Sequence, residues 1–215
     1  MTVSHQTLSN LADGILWLQD KGAKVSVALA QGEAWEEPDS KILAQQIQKL
    51  GRYYLAHDDQ HPVSFLCRPL FEISGKTSRQ HKFCGAGTHM AAYDIDGRKY
   101  PCHMFTPLVR GCDDWADKPL VRGNGWRFSD RKCDDCILKN WCSTCCGFNL
   151  LKRAGLHMRD HGACEMVFAE AREFCDFQLS YYDKHRAKIT SADADQLAAA
   201  LSAHEILFSS KDNES

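Results

Sequence analysis

The sequence predicts an α+β protein made of an incomplete β/α layer, a cysteine-rich domain with one hairpin, and a helical end. Three observations predict it. Helix-like and strand-like periodicities alternate over residues 1–75. Of 11 cysteines, all but Cys67 lie between Cys84 and Cys175, which sets off a second region from about 76 to 170. From Cys164 onward the chain returns to helical spacing, and residues 171–215 read as a helical segment and tail.

The elements follow in order. Leu8, Leu11, Ile15 and Leu18 recur at helical intervals between Thr7 and Asp20, with Gly22 as the stop. Val25, Val27 and Leu29 alternate in AKVSVAL and predict a strand. Ser40 is the expected N-cap of a second helix with Leu43, Ile47, Leu50 and Tyr54 on one face. The run VSFLCRPLFEI predicts another strand, bent or ended near Pro69. Two strands make too little sheet to stand alone, and their open edge predicts a partner chain or a homo-oligomer. Asp96-Gly97, inside MAAYDIDGRKYPC, marks a tight hairpin turn. Residues 103–132 have no period and read as loop with short elements. EMVFAEAREFCDFQLSYYDKH and SADADQLAAALSAHEILF are helical, and the tail SSKDNES is expected to fray.

Composition narrows the function. Lys and Arg number 26 against 28 Asp and Glu, a net charge of −2 that argues against general affinity for nucleic-acid backbones or anionic membranes. No apolar run reaches the roughly 18 residues of a membrane span. The N-terminus lacks a basic stretch followed by an apolar one, so no secretory signal is read there. The expectation is a soluble, cytoplasmic chain, where clustered thiols serve as metal or redox groups before they serve as disulfides.

The thiols carry the chemistry. In CDDCILKNWCSTCC, Cys133, Cys136, Cys142 and Cys146 are separated by two, five and three residues. Such short gaps bring several thiolates to one point at small loop-closure cost. Upstream stand Cys84 and Cys102, and downstream Cys164. Seven cysteines exceed the four that one zinc ion or one iron–sulfur cluster uses, so two metal centres are the economical count.

The order Cys84, Gly97, Cys102, Cys133, Cys136, Cys142, Cys146, Cys164, with the local texts CGAG and DGRKYPCHMF, resembles the SPASM domain. That domain is the C-terminal extension of many radical SAM enzymes, and the likeness covers about residues 80–170. The resemblance implies two auxiliary [4Fe–4S] clusters. Cys84, Cys102 and Cys146 would hold cluster I, its fourth site open or filled by Cys112, Cys145 or Cys67. Cys133, Cys136, Cys142 and Cys164 would hold cluster II. It also implies a partial β/α layer that is the C-terminal remnant of a radical SAM barrel, without a first half ahead of Thr7. The S-adenosylmethionine-binding triplet CxxxCxxC is broken, because Cys142-Ser-Thr-Cys-Cys146 is followed by Asn149. No S-adenosylmethionine site and no catalytic residue is expected in this chain. Implied partners are a radical SAM core subunit and a peptide or protein substrate, the chain acting as electron relay or substrate-binding part. A stand-alone iron–sulfur electron-transfer or adaptor protein, and a zinc-stabilised interaction module, remain alternatives.

Several residues carry a plainer reading beside the sharp one. Cys67 and Cys175 read as small buried hydrophobes. Cys112 reads as a bystander, and Cys145 as a spare thiol or a ligand. His103 reads as a surface or packing residue, the alternative being a role in tuning a neighbouring cluster. His157 and His161, four apart, would share one face if they lie on a helix. The acid pairs of DDWAD and CDDC read as solvated loop charges, and Trp115, Trp126 and Trp141 as packing around the clusters.

Overall fold

A computed structural model describes residues 1–73, 84–120, 130–153 and 155–209. Trp126 and the expected frayed tail beyond Ser209 lie outside the described residues. The chain forms two units: Met1–Ser78 with Ile137–Trp141 and His161–Ser215, and Arg79–Cys136 with Cys142–Asp160. The first and last thirds of the sequence therefore share unit 1, and the cysteine-rich middle forms unit 2. The chain is mainly helical with few strands, consistent with the α+β class.

Unit 1 begins with a β/α step. β1 (Thr2–Val3) pairs in parallel with β2 (Ala28–Leu29), and α1 (Leu11–Asp20) is the connection. A 3₁₀ turn, His5–Asn10, leads into α1, and Leu8, Leu11 and Ile15 are buried as their spacing requires. Gly22, at φ 77°, ends α1: its N–H reaches the Gln19 carbonyl (2.8 Å) and the Ala23 N–H reaches Leu18 (3.0 Å). This double closure satisfies carbonyls that the last helical turn leaves open.

α2 (Glu37–Ala56) starts three residues before the expected Ser40 cap. Pro38 suits the first turn, and Asp39 turns back to accept the Glu36 N–H (2.8 Å), so a carboxylate does the work assigned to the serine. Leu43, Ile47, Leu50 and Tyr54 are all buried.

Residues 63–73 are not a strand. Turns close at Leu66 N–H to Val63, Cys67 N–H to Ser64, and Ile73 N–H to Leu70. The carbonyls of this stretch are satisfied by side chains instead of a neighbouring strand. Gln178 donates to Leu66 (3.0 Å) and Arg68 (2.9 Å), and the Trp141 indole donates to Pro69 (3.0 Å). Val63, Phe65, Leu66, Leu70 and Ile73 are still buried, so the apolar content was real but its period was not two.

In unit 2, β3 (Ala92–Tyr93) and β4 (Lys99–Tyr100) form the expected hairpin, with Ala92 opposite Tyr100 and Tyr93 opposite Lys99. Its loop is the three-residue kind: Asp94 N–H bonds Arg98 O, Gly97 N–H bonds Asp94 O, and Gly97 takes φ 77°. α3 (Pro107–Arg110) and α4 (Cys146–Arg153) complete the unit. Unit 1 ends with α5 (Cys164–Lys184) and α6 (Ser191–Ser209), both at the expected places. α5 packs on α2 and α6, and the Phe177 ring lies close against Gly51, 3.1 Å from where a Cβ would stand.

Candidate metal centre

Cys84, Cys102 and Cys146 are far apart in sequence, and a backbone hydrogen bond and a close packing contact within unit 2 gather them. The Gly87 N–H bonds Pro101 O at 2.8 Å, which ties the loop carrying Cys84 to the end of β4, one residue before Cys102. Gly87 holds φ 68°, and a Cβ there would lie 2.9 Å from Leu120 Cβ. Glycine is required by both conformation and space. On the other side, Gly147 in the first turn of α4 packs against the turn after Cys102: a Cβ on Gly147 would meet Met104 Cβ at 2.5 Å. Cys146, the first residue of α4, is thereby pressed toward Cys102.

The electrostatics register this convergence. The Cys146 thiol is driven far above its ordinary range, first by a hydrogen bond with the Cys84 thiol, then by burial, with Cys145 and Cys102 adding to the same field. Cys102 and Cys146 are buried in an apolar cluster with Ala86, Tyr100, Phe105 and Leu120, and Trp115 packs on its margin. Cys84 is exposed and Cys145 half-buried, so the thiol group has a dry wall and a wet side. Trp115 meets Phe105 edge to face at 4.8 Å, in keeping with packing around the thiols. Trp141 belongs instead to unit 1, where it packs on Phe174 and beneath the Arg68 guanidinium.

A second set forms around Cys133. Burial, with smaller contributions from Asp130, Cys136 and Cys142 and against the pull of the Arg159 guanidinium, pushes this thiol up to about 11. Asp130 caps the turn carrying Cys133 by accepting the Lys132 N–H (3.2 Å), and its other oxygen accepts the Arg159 N–H (3.3 Å). The Arg159 guanidinium donates to Cys142 O (3.3 Å). A buried arginine thus fixes this set and supplies positive charge. Neither Arg159 nor the two glycines stood out in the sequence; the only available signal was the glycine pair inside CGAG and CCG. Cys164, which the resemblance groups with this set, opens α5 in unit 1, with its sulfur 4.0 Å from His161 Nδ1.

The remaining candidates separate clearly. Cys145 stands in the first group and accepts the Phe148 N–H at 3.4 Å. Cys112 is exposed, and its thiol donates to Asp114 Oδ1 at 3.4 Å, in keeping with a bystander. Cys175 is buried and donates to Ala200 O, as expected of a packed thiol. Cys67 is exposed, contrary to expectation, because the segment turns where a strand was predicted. His103 is exposed. His157 and His161 share no helix, since His157 lies in a turn and His161 begins a separate 3₁₀ turn. The acid pair Asp113-Asp114 of DDWAD is ion-paired rather than merely solvated. Asp113 bonds Arg98 and accepts from Tyr100 (2.7 Å), and two bonds from Arg110 hold Asp114 down to about 2. Asn149, at the position that breaks the triplet, is buried and engaged by Thr144, Met158 O and Arg153.

Among the described residues, no helix is long and apolar enough to cross a membrane. Comparison of the chain with protein-family models, curated proteins and solved structures gives no match, so the likeness in cysteine spacing stands on the residues alone.

Proposed function

We propose that this chain is a cytoplasmic iron–sulfur protein of SPASM type, serving as an electron relay or substrate-holding part beside a separate polypeptide that performs S-adenosylmethionine chemistry. The observation that carries the reading is the meeting of Cys84, Cys102 and Cys146, drawn from three separated segments, with Cys145 beside them. Thiolate sulfur selects soft metals and iron–sulfur clusters over hard cations. An apolar wall with one open side suits a cluster whose potential depends on exposure and hydrogen bonding. In this reading Cys84, Cys102 and Cys146 hold cluster I, and Cys145, not Cys112, is the fourth thiol at hand. Cys133, Cys136 and Cys142 contribute to cluster II, with Cys164 assigned to it by the resemblance only.

A bound cluster would supply one-electron transfer. The chain's own residues do the rest: Gly87 and Gly147 hold the ligand loops together, Phe105 and Trp115 exclude water, and Arg159 offsets thiolate charge at Cys133. Asn149 is a structural residue at the position where a third thiol would complete the triplet, which supports a chain that depends on a partner for radical initiation. Eleven free thiols favour a reducing compartment.

The test is iron, sulfide and zinc analysis of anaerobically purified protein, with electron paramagnetic resonance after reduction. About eight iron and eight sulfide per chain are expected, the content of two cubane clusters. One or two zinc ions without sulfide would replace this reading with a structural zinc module.

A further inference from the structure

A cavity of about 180 Å³ lies in unit 2 beside β4, lined by Gly87, Lys99, Tyr100, Asp117, Lys118 and Leu120 together with Pro101 and Pro119. Its frame is fixed by backbone bonds. Gly87 N–H holds Pro101 O, and Asp117 N–H holds Lys99 O at 2.8 Å. Asp117 is the one non-glycine residue at positive φ (54°) among the described residues. That turn lays 117–120 along 99–101 and makes the two walls.

Among the described residues the charges lining the cavity have no ion-pair partner, which sets them apart from their neighbours. Arg98 is shared among Asp94, Asp96 and Asp113, and Arg110 is taken by Asp114. Lys99, Lys118 and Asp117, by contrast, make no ion pair among the described residues. Two ammonium groups and one carboxylate therefore border a floor of Tyr100, Pro101, Pro119 and Leu120. The volume equals about six waters at roughly 30 Å³ each, well below the ~300 Å³ of a drug-sized site. The occupant is the size of a single amino acid.

We propose that this cavity binds a free α-amino acid, with its carboxylate toward Lys99 and Lys118 and its ammonium toward Asp117. The assignment does not depend on which metal the thiols hold. The test is an amide NMR titration of the protein as purified with alanine, N-acetylalanine and alaninamide, reading Gly87, Lys99 and Lys118. Alanine is expected to bind with a dissociation constant in the millimolar range. Alaninamide and N-acetylalanine should each bind about tenfold more weakly, the fold-change of one lost charge-assisted hydrogen bond. Lys118→Ala or Lys99→Ala should weaken alanine by a similar factor, and Asp117→Asn should abolish the preference over N-acetylalanine. N-acetylalanine binding as well as alanine would overturn the free amino acid in favour of a peptide's carboxylate end. Equal shifts from alaninamide, no shifts with alanine, or unchanged affinity in both lysine variants would overturn the site itself.

Discussion

In unit 1 the buried residues Leu11, Ile15, Leu43, Ile47, Leu50, Tyr54 and Phe174 sit on helices of 10, 20 and 21 residues. In unit 2 the buried cluster is Ala86, Tyr100, Cys102, Phe105, Leu120 and Cys146: Tyr100 lies on a two-residue strand, Phe105 in a three-residue 3₁₀ turn, Cys146 at the start of an eight-residue helix, and the other three in connecting segments. Two of those six core members are thiols. Unit 1 can be stabilised by area alone, since helix faces at 3.6-residue spacing bury contiguous apolar stripes. Among its described residues unit 2 has neither long ladders nor a large core, and small cores of this kind generally need staples. The comparison teaches that the cysteines of unit 2 occupy the place that leucines hold in unit 1.

The sharpest way to break that comparison, on the proposal that the thiols hold metal, is to remove it. Anaerobic treatment with a strong chelator should abolish amide-exchange protection at Gly87, Tyr100 and Phe105 while α2 and α5 keep theirs. Protection retained in both units would show that unit 2 stands on its apolar cluster alone. Next in size is Trp141→Ala. Trp141 is fully buried and its indole satisfies Pro69 O, so about 3–5 kcal/mol should be lost from unit 1 in urea unfolding, with the thiol sites unaffected. A loss under 1 kcal/mol would mean that segment 63–73 does not depend on it.

Glu170 tests the cost of polarity in the core of unit 1. Burial pushes its carboxyl up to about 7, only partly offset by the Arg68 charge. Because the folded value lies above the unfolded one, the associated stability is full below about 4.5 and is lost as pH rises to 7. The rise of about 2.5 units corresponds to roughly 3 kcal/mol. Glu170→Gln should flatten that slope and leave the protein more stable than wild type at pH 8. An unchanged slope would place the titrating group elsewhere.

Gly147→Ala sharpens the contrast at a smaller scale. Helix propensity favours alanine by about 1 kcal/mol. The Met104 contact opposes it, and overpacking of this kind costs about 1–3 kcal/mol, so a net loss confined to unit 2 is expected by thermal unfolding. Gly51→Ala, 3.1 Å from the Phe177 ring edge, should be closer to neutral because a ring can shift where a Cβ cannot. The smallest effect is at His5, whose ring lies 2.8 Å from Asp39. The Asp39 hydrogen bond raises the imidazole, so its contribution is present below about 6.5 and fades as pH rises through the raised value. His5→Ala should remove a slight fall in melting temperature between pH 6 and 8; an unaltered fall would exclude this pair as its source.

The same contrast explains what was legible in the sequence. α1, α2, α5 and α6 could be read because one face of each is buried over several turns. β1 could not, since two residues carry no period, and its pairing with β2 depends on α1 bringing the chain back. Residues 63–73 were misread because a dense apolar run looks strand-like whether or not a ladder exists, and the partners of its carbonyls, Gln178 and Trp141, are distant in sequence. In unit 2 the thiols were legible by spacing, since ligand loops must close in few residues. The place of Cys145, and not Cys112, beside Cys146 was not, because it follows from α4, whose first turn lies among cysteines and glycine without an apolar stripe. Arg159 could not be read because an isolated arginine gives no sign of burial.

Unit 1 is discontinuous, and synthesis proceeds in one direction only. At 5–20 residues per second, the 55 residues from His161 to Ser215 take on the order of several seconds to emerge. During that interval α2 lacks α5, its principal neighbour, while every residue of unit 2 has already been made. The thiols at 84, 102, 133, 136, 142, 145 and 146 have thus all been made before the helical unit can close, and the order of translation gives the thiol-bearing unit the first opportunity to mature.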